Sequence, residues 1–317
     1  MFLLGVLAFN EEKNIESVLK DYINNFDQVV VVDDGSSDAT YKIVKEFSKK
    51  NKNLKIIKND KNYGAGHSFK NLVEFFLNSS NSYLIKIDGD NQFTKDDVMK
   101  IKSIFEKNNV DFIKCDRFWH NGILGSIPTI RYVGNIFASY LIKFCTGNRF
   151  FTDPLNGLFA FSKKSLMNFT LEKKFKRYGY PFFVCNFINK KIILENLKFH
   201  IFKNQVKYVE RKKSIKPSTM LVKLIIFTII NYYKNLKLKL RNSELHSSLV
   251  VNIITQLNLI LLFASLYKLI TIRYFGTAGL QSNWVIVLLT LTFILIYLVS
   301  FLSKQSFKFY KTKHLEI

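Results

Sequence analysis

Apolar and polar residues alternate in two different ways along this chain. Through residues 1–200, short runs of aliphatic and β-branched residues are separated by stretches whose apolar residues recur at helical spacing. After about residue 245, long apolar stretches broken by a short polar loop replace this pattern. The change predicts an α/β domain at the start of the chain and a membrane-associated segment at its end.

The first part predicts five strands with helices between them. The strands are predicted at Leu3–Ala8, Gln28–Val32, Leu54–Ile57, Tyr83–Ile87 and Asp111–Cys115. The helices are predicted at Asn14–Phe26, Asp38–Lys49, Ser68–Leu77 and Thr94–Lys107. Strands that alternate with helices favour a mostly parallel sheet with helices on both faces. Because ligands bind beyond the carboxyl ends of such strands, the polar residues that follow each strand are the first candidates for a site.

Two uncharged apolar stretches, Ser247–Tyr267 and Trp284–Leu302, each have about the 20 residues that a helix needs to cross a bilayer. Basic residues precede the first stretch and follow the second, whereas the intervening loop, Thr271–Asn283, carries only Arg273. Since basic segments stay on the cytoplasmic side, the α/β domain and both termini are predicted to be cytoplasmic. The shorter apolar stretch Met220–Tyr233 predicts a helix that lies in the membrane interface, with a third span as the alternative.

The chain has a formal net charge of +23. Basic side chains neutralise nucleic-acid phosphates, but no stacking motif or groove-reading helix accompanies them here, so nucleic acid is not expected as a partner. A Lys- and Asn-rich source composition accounts for part of the charge. From Lys203 to Arg241, directly before the apolar tail, eleven basic residues accompany one acid, Glu210, which favours contact with anionic lipid headgroups.

These patterns divide the chain into three predicted parts. Residues 1–217 form the α/β domain, residues 218–246 a basic juxtamembrane and interfacial segment, and residues 247–317 a transmembrane hairpin with a basic tail. A homo-oligomer formed through the membrane helices is compatible with the sequence, which does not require one.

Three acidic clusters follow predicted strands: Asn10-Glu11-Glu12, the run Asp33–Asp38, and Asp88-Gly89-Asp90-Asn91-Gln92. Any one of them alone is typical of a turn or a helix cap. Three at the same end of one sheet concentrate negative charge that a cation would stabilise. Asp-x-Asp at a strand end supplies the oxygen ligands that Mg²⁺ or Mn²⁺ prefers, and such an ion also holds substrate phosphates.

Several motifs along the chain occur in an order that identifies a family. They are Ala8–Ile15 after the first strand, Val31–Asp38, Asn62–Gly66, Asp88–Gln92, Thr152–Gly157, and Arg211 with Ser214 and Lys216. Together they resemble the family 2 glycosyltransferases, and within them the polyprenyl-phosphate group. The resemblance covers residues 3–217; Leu7 replaces a usual proline, and Asn156 stands where serine is common.

The resemblance implies a GT-A-type fold and an inverting transfer of sugar from a nucleotide-sugar donor. It implies a role in donor binding for Asn10, Glu11, Asp33, Asp34 and Gly64. It implies that Asp88 and Asp90, with Gln92, hold a divalent metal, Mg²⁺ or Mn²⁺, on the diphosphate. It implies that Arg211 and Lys216 bind the acceptor phosphate or the donor diphosphate.

The acceptor is predicted from an absence of acids. A sugar hydroxyl needs a general base, yet no Asp or Glu lies between Arg177 and Glu195. A polyprenyl phosphate is already ionised and needs cations and a membrane surface instead. Asp153 is a candidate base or organiser, so transfer to a saccharide hydroxyl in surface-polysaccharide or cell-wall glycan synthesis is the alternative. A non-catalytic membrane scaffold is the alternative of another class, which the intact acidic clusters disfavour.

Overall fold

In a computed structural model, the described part of the chain comprises residues 1–118, 123–124, 127, 129–207, 217–240 and 307–316, with scattered positions between 254 and 295. The chain divides into two compact units, Met1–Tyr232 with Lys313–Ile317, and Tyr233–Thr312. The predicted division after residues 217 and 246 stays a prediction.

From residue 2 to residue 116 the strands and helices alternate as the sequence predicts, whereas the strands and helices between residues 123 and 207 were not predicted. The strands are β1 Phe2–Ala8, β2 Gln28–Asp33, β3 Leu54–Lys58, β4 Tyr83–Asp88, β5 Phe112–Asp116, β6 Ile123–Leu124, β7 Phe159–Ser162, β8 Phe199–Lys203 and β9 Val206–Lys207. The helices are α1 Ile15–Tyr22, α2 Thr40–Lys50, α3 Ala65–Asn78, α4 Lys95–Lys107, α5 Thr129–Thr146, α6 Lys163–Leu166, α7 Tyr180–Glu195 and α8 Pro217–Leu240, and a 3-10 turn spans Lys173–Phe175.

The main sheet has seven strands in the order β3-β2-β1-β4-β7-β5-β8. All neighbouring pairs are parallel except those of β7, which runs antiparallel to both β4 and β5. The prediction of a mostly parallel sheet is therefore confirmed. From β1 the chain builds outward to β2 and β3 and then returns to place β4 on the other side of β1. Ligands bind at such a reversal of strand order, beyond the carboxyl ends of the strands.

Helices cover both faces of this sheet. Leu4 and Val6 of β1 point into a core that also contains Val18 of α1 and Ile101 of α4. Gly5 points to the opposite face, where a Cβ would overlap with the side chain of Leu72 in α3. Successive residues of a strand face opposite sides, so this alternation fixes which helix packs on which face.

The predicted interfacial helix is longer than its apolar stretch, because α8 extends from Pro217 to Leu240. Its Phe227 is fully buried and packs on the rings of Phe175 and Phe183, whereas Ile226 and Ile229 are exposed. The two predicted membrane spans lie almost entirely outside the described residues. Within the described residues, no helix combines the length and the apolar composition that crossing a bilayer requires.

The chain's last described residues add a strand-like contact to β8, the edge strand of the sheet. Leu315 N donates to Phe199 O at 2.8 Å, and His200 Nδ1 donates to Leu315 O at 2.7 Å. The His314 ring stacks on Phe150 with centroids 4.5 Å apart and lies 5.8 Å from the His200 ring. This contact covers hydrogen-bonding groups that an edge strand otherwise exposes.

This contact predicts a pH-dependent stability. Burial lowers the pKa of both His200 and His314 below the ordinary value of 6.5. The charge of His200 adds to this effect at His314 while Glu316 opposes it, and the bond to Leu315 opposes it at His200. The two neutral rings therefore contribute to the free energy of unfolding above pH 6.5, and this contribution is lost as the pH falls through the lowered pKa values. Between about pH 7.5 and pH 5, the melting temperature of the wild type should fall more than that of His314→Phe, which keeps a ring on Phe150 but cannot titrate. Parallel pH dependences of the two proteins would contradict this.

Candidate active site

The loops that follow β1 and β2 are bonded directly to each other. Asn10 N donates to Ser36 Oγ at 3.0 Å, and Asn10 Oδ1 accepts from Ser37 N at 2.9 Å. Asp34 N donates to Ala8 O at 2.9 Å. Asn10 has a positive φ of 55°, a conformation that asparagine adopts more readily than most residues. The first two acidic clusters of the sequence thus form one continuous surface at the sheet edge.

Asp33 is fully buried at the end of β2. Its Oδ1 accepts from the backbone amide and the hydroxyl of Ser36, while its buried Oδ2 has no hydrogen-bond partner. Burial raises the pKa of this carboxyl, against the lowering effects of the Ser36 bonds and of Lys58. Leaving a buried carboxylate oxygen unpaired is costly, and Asp33 has no exposed surface through which a ligand could reach this oxygen in the structure.

Asp34 holds the glycine-bearing turn at the start of α3. Its oxygens accept from Tyr63 N at 3.1 Å, Gly64 N at 2.7 Å and Asn59 Nδ2 at 2.7 Å. Gly64 has φ 102°, and a Cβ there would overlap with the backbone of Arg177, so only glycine fits. The predicted donor-binding residues Asp34 and Gly64 are therefore in direct contact.

The third cluster begins at the end of β4, where Asp88 pairs in register with Leu7 of β1. Asp88 Oδ1 accepts from Lys86 Nζ at 2.6 Å, and Gln92 N donates to Asp90 Oδ1 at 3.3 Å. Burial opposes the charge of the fully buried Lys86, but Asp88 and Tyr180 outweigh it and raise the pKa of the ammonium. Asp88, Asp90 and Gln92 are all partly exposed, so they are accessible to a ligand.

The segment Thr152–Gly157 lies beside Asp88, because Lys86 Nζ also donates to Gly157 O at 3.0 Å. Asp153 is buried and pairs with Arg117 at the end of β5. Arg117 Nε lies 3.1 Å from Asp153 Oδ2 without hydrogen-bond geometry, and the backbone N of Arg117 donates to the same oxygen at 3.2 Å. A carboxylate held in this way is poorly placed to accept a proton from a substrate.

The neighbouring acid, Asp116, is also engaged. Phe118 N donates to its Oδ1 at 2.8 Å, and the Thr152 hydroxyl donates to its Oδ2. Asp116 at the end of β5 and Asp153 in the segment Thr152–Gly157 are thus both bound by protein groups.

Most of the predicted site residues meet at this edge of the sheet. The Glu11 side chain accepts from Asn14 Nδ2 at 2.9 Å, and its backbone N donates to Thr40. Arg211 and Lys216 lie outside the described residues, so their roles stay predictions. Sequence reasoning missed Lys86 and Arg117. Side chains two residues apart in a strand lie on the same face of the sheet, so the two-residue spacing from Asp88 could have indicated Lys86.

Residues 4–176 match the sequence profile of the family described as Glycosyl transferase family 2. The chain belongs to this glycosyltransferase family. It is 34% identical over 232 residues to an uncharacterized protein of Methanocaldococcus jannaschii, covering 69% of this chain and 96% of that one. It is 29% identical to the UDP-N-acetylglucosamine–dolichyl-phosphate N-acetylglucosaminyltransferase of Methanococcus voltae, covering 56% of this chain and 76% of that enzyme.

The fold agrees with the family. The crystal structure of glucosyl-3-phosphoglycerate synthase from Mycobacterium tuberculosis, in complex with Mn²⁺, UDP and glucosyl-3-phosphoglycerate, superposes with a TM-score of 0.54 at 15% identity. The likeness covers 73% of this chain and 79% of that one. This glycosyltransferase therefore has the GT-A-type α/β fold that the sequence predicts.

The Arg117–Asp153 pair predicts a loss of stability that depends on whether one partner or both partners are removed. Asp153→Ala should lower the free energy of unfolding by about 3–5 kcal/mol, because it leaves a buried guanidinium without its counter-charge. The double variant Arg117→Met/Asp153→Leu should recover a large part of that loss, because no buried charge remains unpaired. Urea denaturation of the three proteins measures both effects. Equal losses in the single and the double variant would show that the pair does not carry the stability.

Proposed function

We propose that this glycosyltransferase transfers a sugar from a nucleotide-sugar to a polyprenyl phosphate at the cytoplasmic face of a membrane. The observation that carries the proposal is that Asp153, the candidate base or organiser, is already bound by groups of the protein. Its carboxylate is buried against Arg117, and the neighbouring Asp116 is bound by Phe118 and Thr152. An acceptor that is already ionised, as a lipid phosphate is, needs no such base.

The relative from Methanococcus voltae supports this acceptor, since its name assigns transfer of N-acetylglucosamine from a UDP-sugar to dolichyl phosphate. The predicted cations Arg211 and Lys216 would bind the acceptor phosphate or the donor diphosphate, Arg211 through the planar fork that a guanidinium offers to phosphate oxygens.

The residues of the third cluster fit a hard divalent ion. Asp88 and Asp90 supply carboxylate oxygens, and Gln92 an amide oxygen, at one strand end. The described residues contain no group of three or more His, Cys, Asp or Glu side chains that would enclose a metal alone. One or two carboxylates completed by substrate phosphates are the usual setting of Mg²⁺ in phosphate-binding sites. When bound, Mg²⁺ or Mn²⁺ supplies Lewis-acid stabilisation of the departing diphosphate.

The chain's own residues would act chiefly by binding and orientation. Asp33 holds the Ser36 loop through its Oδ1, and Asp34 keeps the Gly64 turn in place, so that both loops are oriented for the donor nucleotide. The acceptor phosphate displaces the nucleoside diphosphate from the opposite side of the sugar, which inverts the anomeric centre. Holding the two reactants in line lowers the barrier without a proton transfer from the acceptor.

Two helices of the α/β unit support a membrane surface as the place of reaction. Along α5, Ile130, Val133, Ile136 and Tyr140 are exposed by 53–72%, and α8 exposes Ile226 among others. Phe144 of α5 stacks on Tyr232 of α8 with centroids 4.7 Å apart. Large exposed apolar patches mark protein or membrane contacts. The predicted basic segment, which includes most of α8, and the spans predicted after it favour the membrane.

The transfer itself is tested with the full chain in lipid vesicles. With Mn²⁺ or Mg²⁺, a polyprenyl phosphate and a panel of radiolabelled nucleotide-sugars, label should enter the organic-extractable lipid. Chelator and Asp90→Ala should each reduce transfer by at least about 100-fold, because electrostatic stabilisation of the leaving group is lost. Asp96→Ala, which removes an exposed acid in the first turn of α4, is the matched control and should retain activity. Label found only in water-soluble glycan would establish the saccharide-hydroxyl alternative instead.

The membrane surface is tested by a fluorescent label on α5. In vesicles, an environment-sensitive dye on Ile136→Cys should emit at shorter wavelength and be quenched by spin-labelled lipid, because residue 136 enters the apolar layer. Leu194→Cys, at a similarly exposed apolar residue of α7, is the control and should report water. The native cysteines Cys115, Cys145 and Cys185 are buried and interfere little. Equal emission from positions 136 and 194 would contradict membrane contact by α5.

A further inference from the structure

Lys86 is a fully buried cation at the edge of the site. Its ammonium group donates to Asp88 Oδ1 at 2.6 Å and to Gly157 O at 3.0 Å, and it lies 5.4 Å from the centre of the Tyr180 ring. Lys86 is therefore bonded to two motifs that are far apart in sequence, Asp88–Gln92 and Thr152–Gly157.

The other oxygen of Asp88 is confined from the opposite side. A Cβ on Gly157 would overlap with Asp88 Oδ2 and would lie 3.2 Å from Lys86 Nζ. The Asp88 carboxylate thus lies between an ammonium on one oxygen and the Gly157 backbone on the other.

We propose that Lys86 is a positioning residue for donor binding, which fixes the Asp88 carboxylate and the adjoining Gly157 backbone in one arrangement. The proposal rests on the proposed role of Asp88 in holding the donor diphosphate. Lys86 itself has no exposed surface, so it acts through Asp88 and does not touch the substrate.

Stability alone gives a weak reason for a lysine at this position. Taking an ammonium out of water is costly, and an apolar side chain of similar volume often serves a core equally well. Methionine would fill the same space in β4, but it could bind neither Asp88 nor Gly157 O. What the lysine adds is therefore a fixed geometry of polar groups at the edge of the site.

Lys114 of β5 offers a matched control. It is equally buried, and its Nζ donates to Asn156 O at 3.0 Å and to Cys115 O at 3.1 Å. Lys86 and Lys114 both pair in register with Phe159 of β7, so they flank the same residue and bind carbonyls of adjacent residues. Of these two lysines, only Lys86 contacts an acid of the third cluster.

The experiment measures nucleotide affinity in the presence of MnCl₂ by calorimetry, with UDP and GDP as probes and the full-length protein. Lys86→Met should weaken binding by about 10- to 100-fold, as the loss of a group that orients a ligand-holding side chain does. Lys114→Met should lose a similar amount of thermal stability but stay within about twofold of wild-type affinity. Equal affinities of the two variants would overturn the proposal.

Two further measurements separate positioning from general damage. In the Asp88→Asn background, Lys86→Met should change affinity by less than about twofold, because a residue that acts through Asp88 has nothing left to position. An undiminished effect there would overturn the proposal. If Lys86→Met does not fold, Gly157→Ala displaces the same carboxylate without removing a charge and should weaken binding similarly; wild-type affinity in that variant would overturn it.

Nucleotide binding needs no lipid acceptor, which keeps this test apart from the proposed function. A wild type that binds nucleotide with Mn²⁺ but transfers nothing to a polyprenyl phosphate would contradict the proposed acceptor. The comparison of Lys86→Met with Lys114→Met would decide the role of Lys86 in either case.

Discussion

The crowding of carboxylates at one edge of the sheet is the constraint on which the site depends. The consecutive acids Asp33 and Asp34, with Asp88 and Asp153, come from three separate segments, and each is buried or half-buried. Charges in such places require partners, because desolvation is expensive. Asp34 has the amides of the glycine turn, Asp88 has Lys86, and Asp153 has Arg117. Asp33 Oδ2 is left without one. The partnered acids shape the site, and the partly exposed acids Asp88 and Asp90 are the ones that a ligand can reach.

The order of strands explains why these acids meet. Because β1 lies between β2 and β4, the loops that follow these three strands emerge side by side. The antiparallel β7 then brings Thr152–Gly157 to the same edge, since that segment leads directly into the strand beside β4. The fold follows from this framework, whereas family membership follows from the sequence profile that residues 4–176 match.

Sequence reasoning located what is local and missed what is distant. Strand bounds agree within one or two residues, since apolar runs flanked by turns define them; β4 includes Asp88, which the pattern placed just after the strand. Helix α1 ends at Tyr22, four residues before its predicted end, although Ile23 and Phe26 are buried like the apolar residues of the helix and therefore extend its apolar pattern. The acidic clusters were visible because each follows a strand. Arg117 was not, because its partner Asp153 lies 36 residues away and no spacing rule connects them. The exposed apolar face of α5 was missed for a similar reason, since a helix shows which face it buries only after it packs.

The central claim is that the acceptor is a phosphate and that no carboxylate of the protein needs to activate it. The most direct measurement is the ³¹P NMR spectrum of the lipid extracted after the full chain has acted on a polyprenyl phosphate and its nucleotide-sugar. The account predicts that the phosphomonoester resonance is replaced by that of a phosphodiester, with one sugar for each phosphate. A phosphomonoester that remains unchanged while sugar is transferred to a hydroxyl would contradict it.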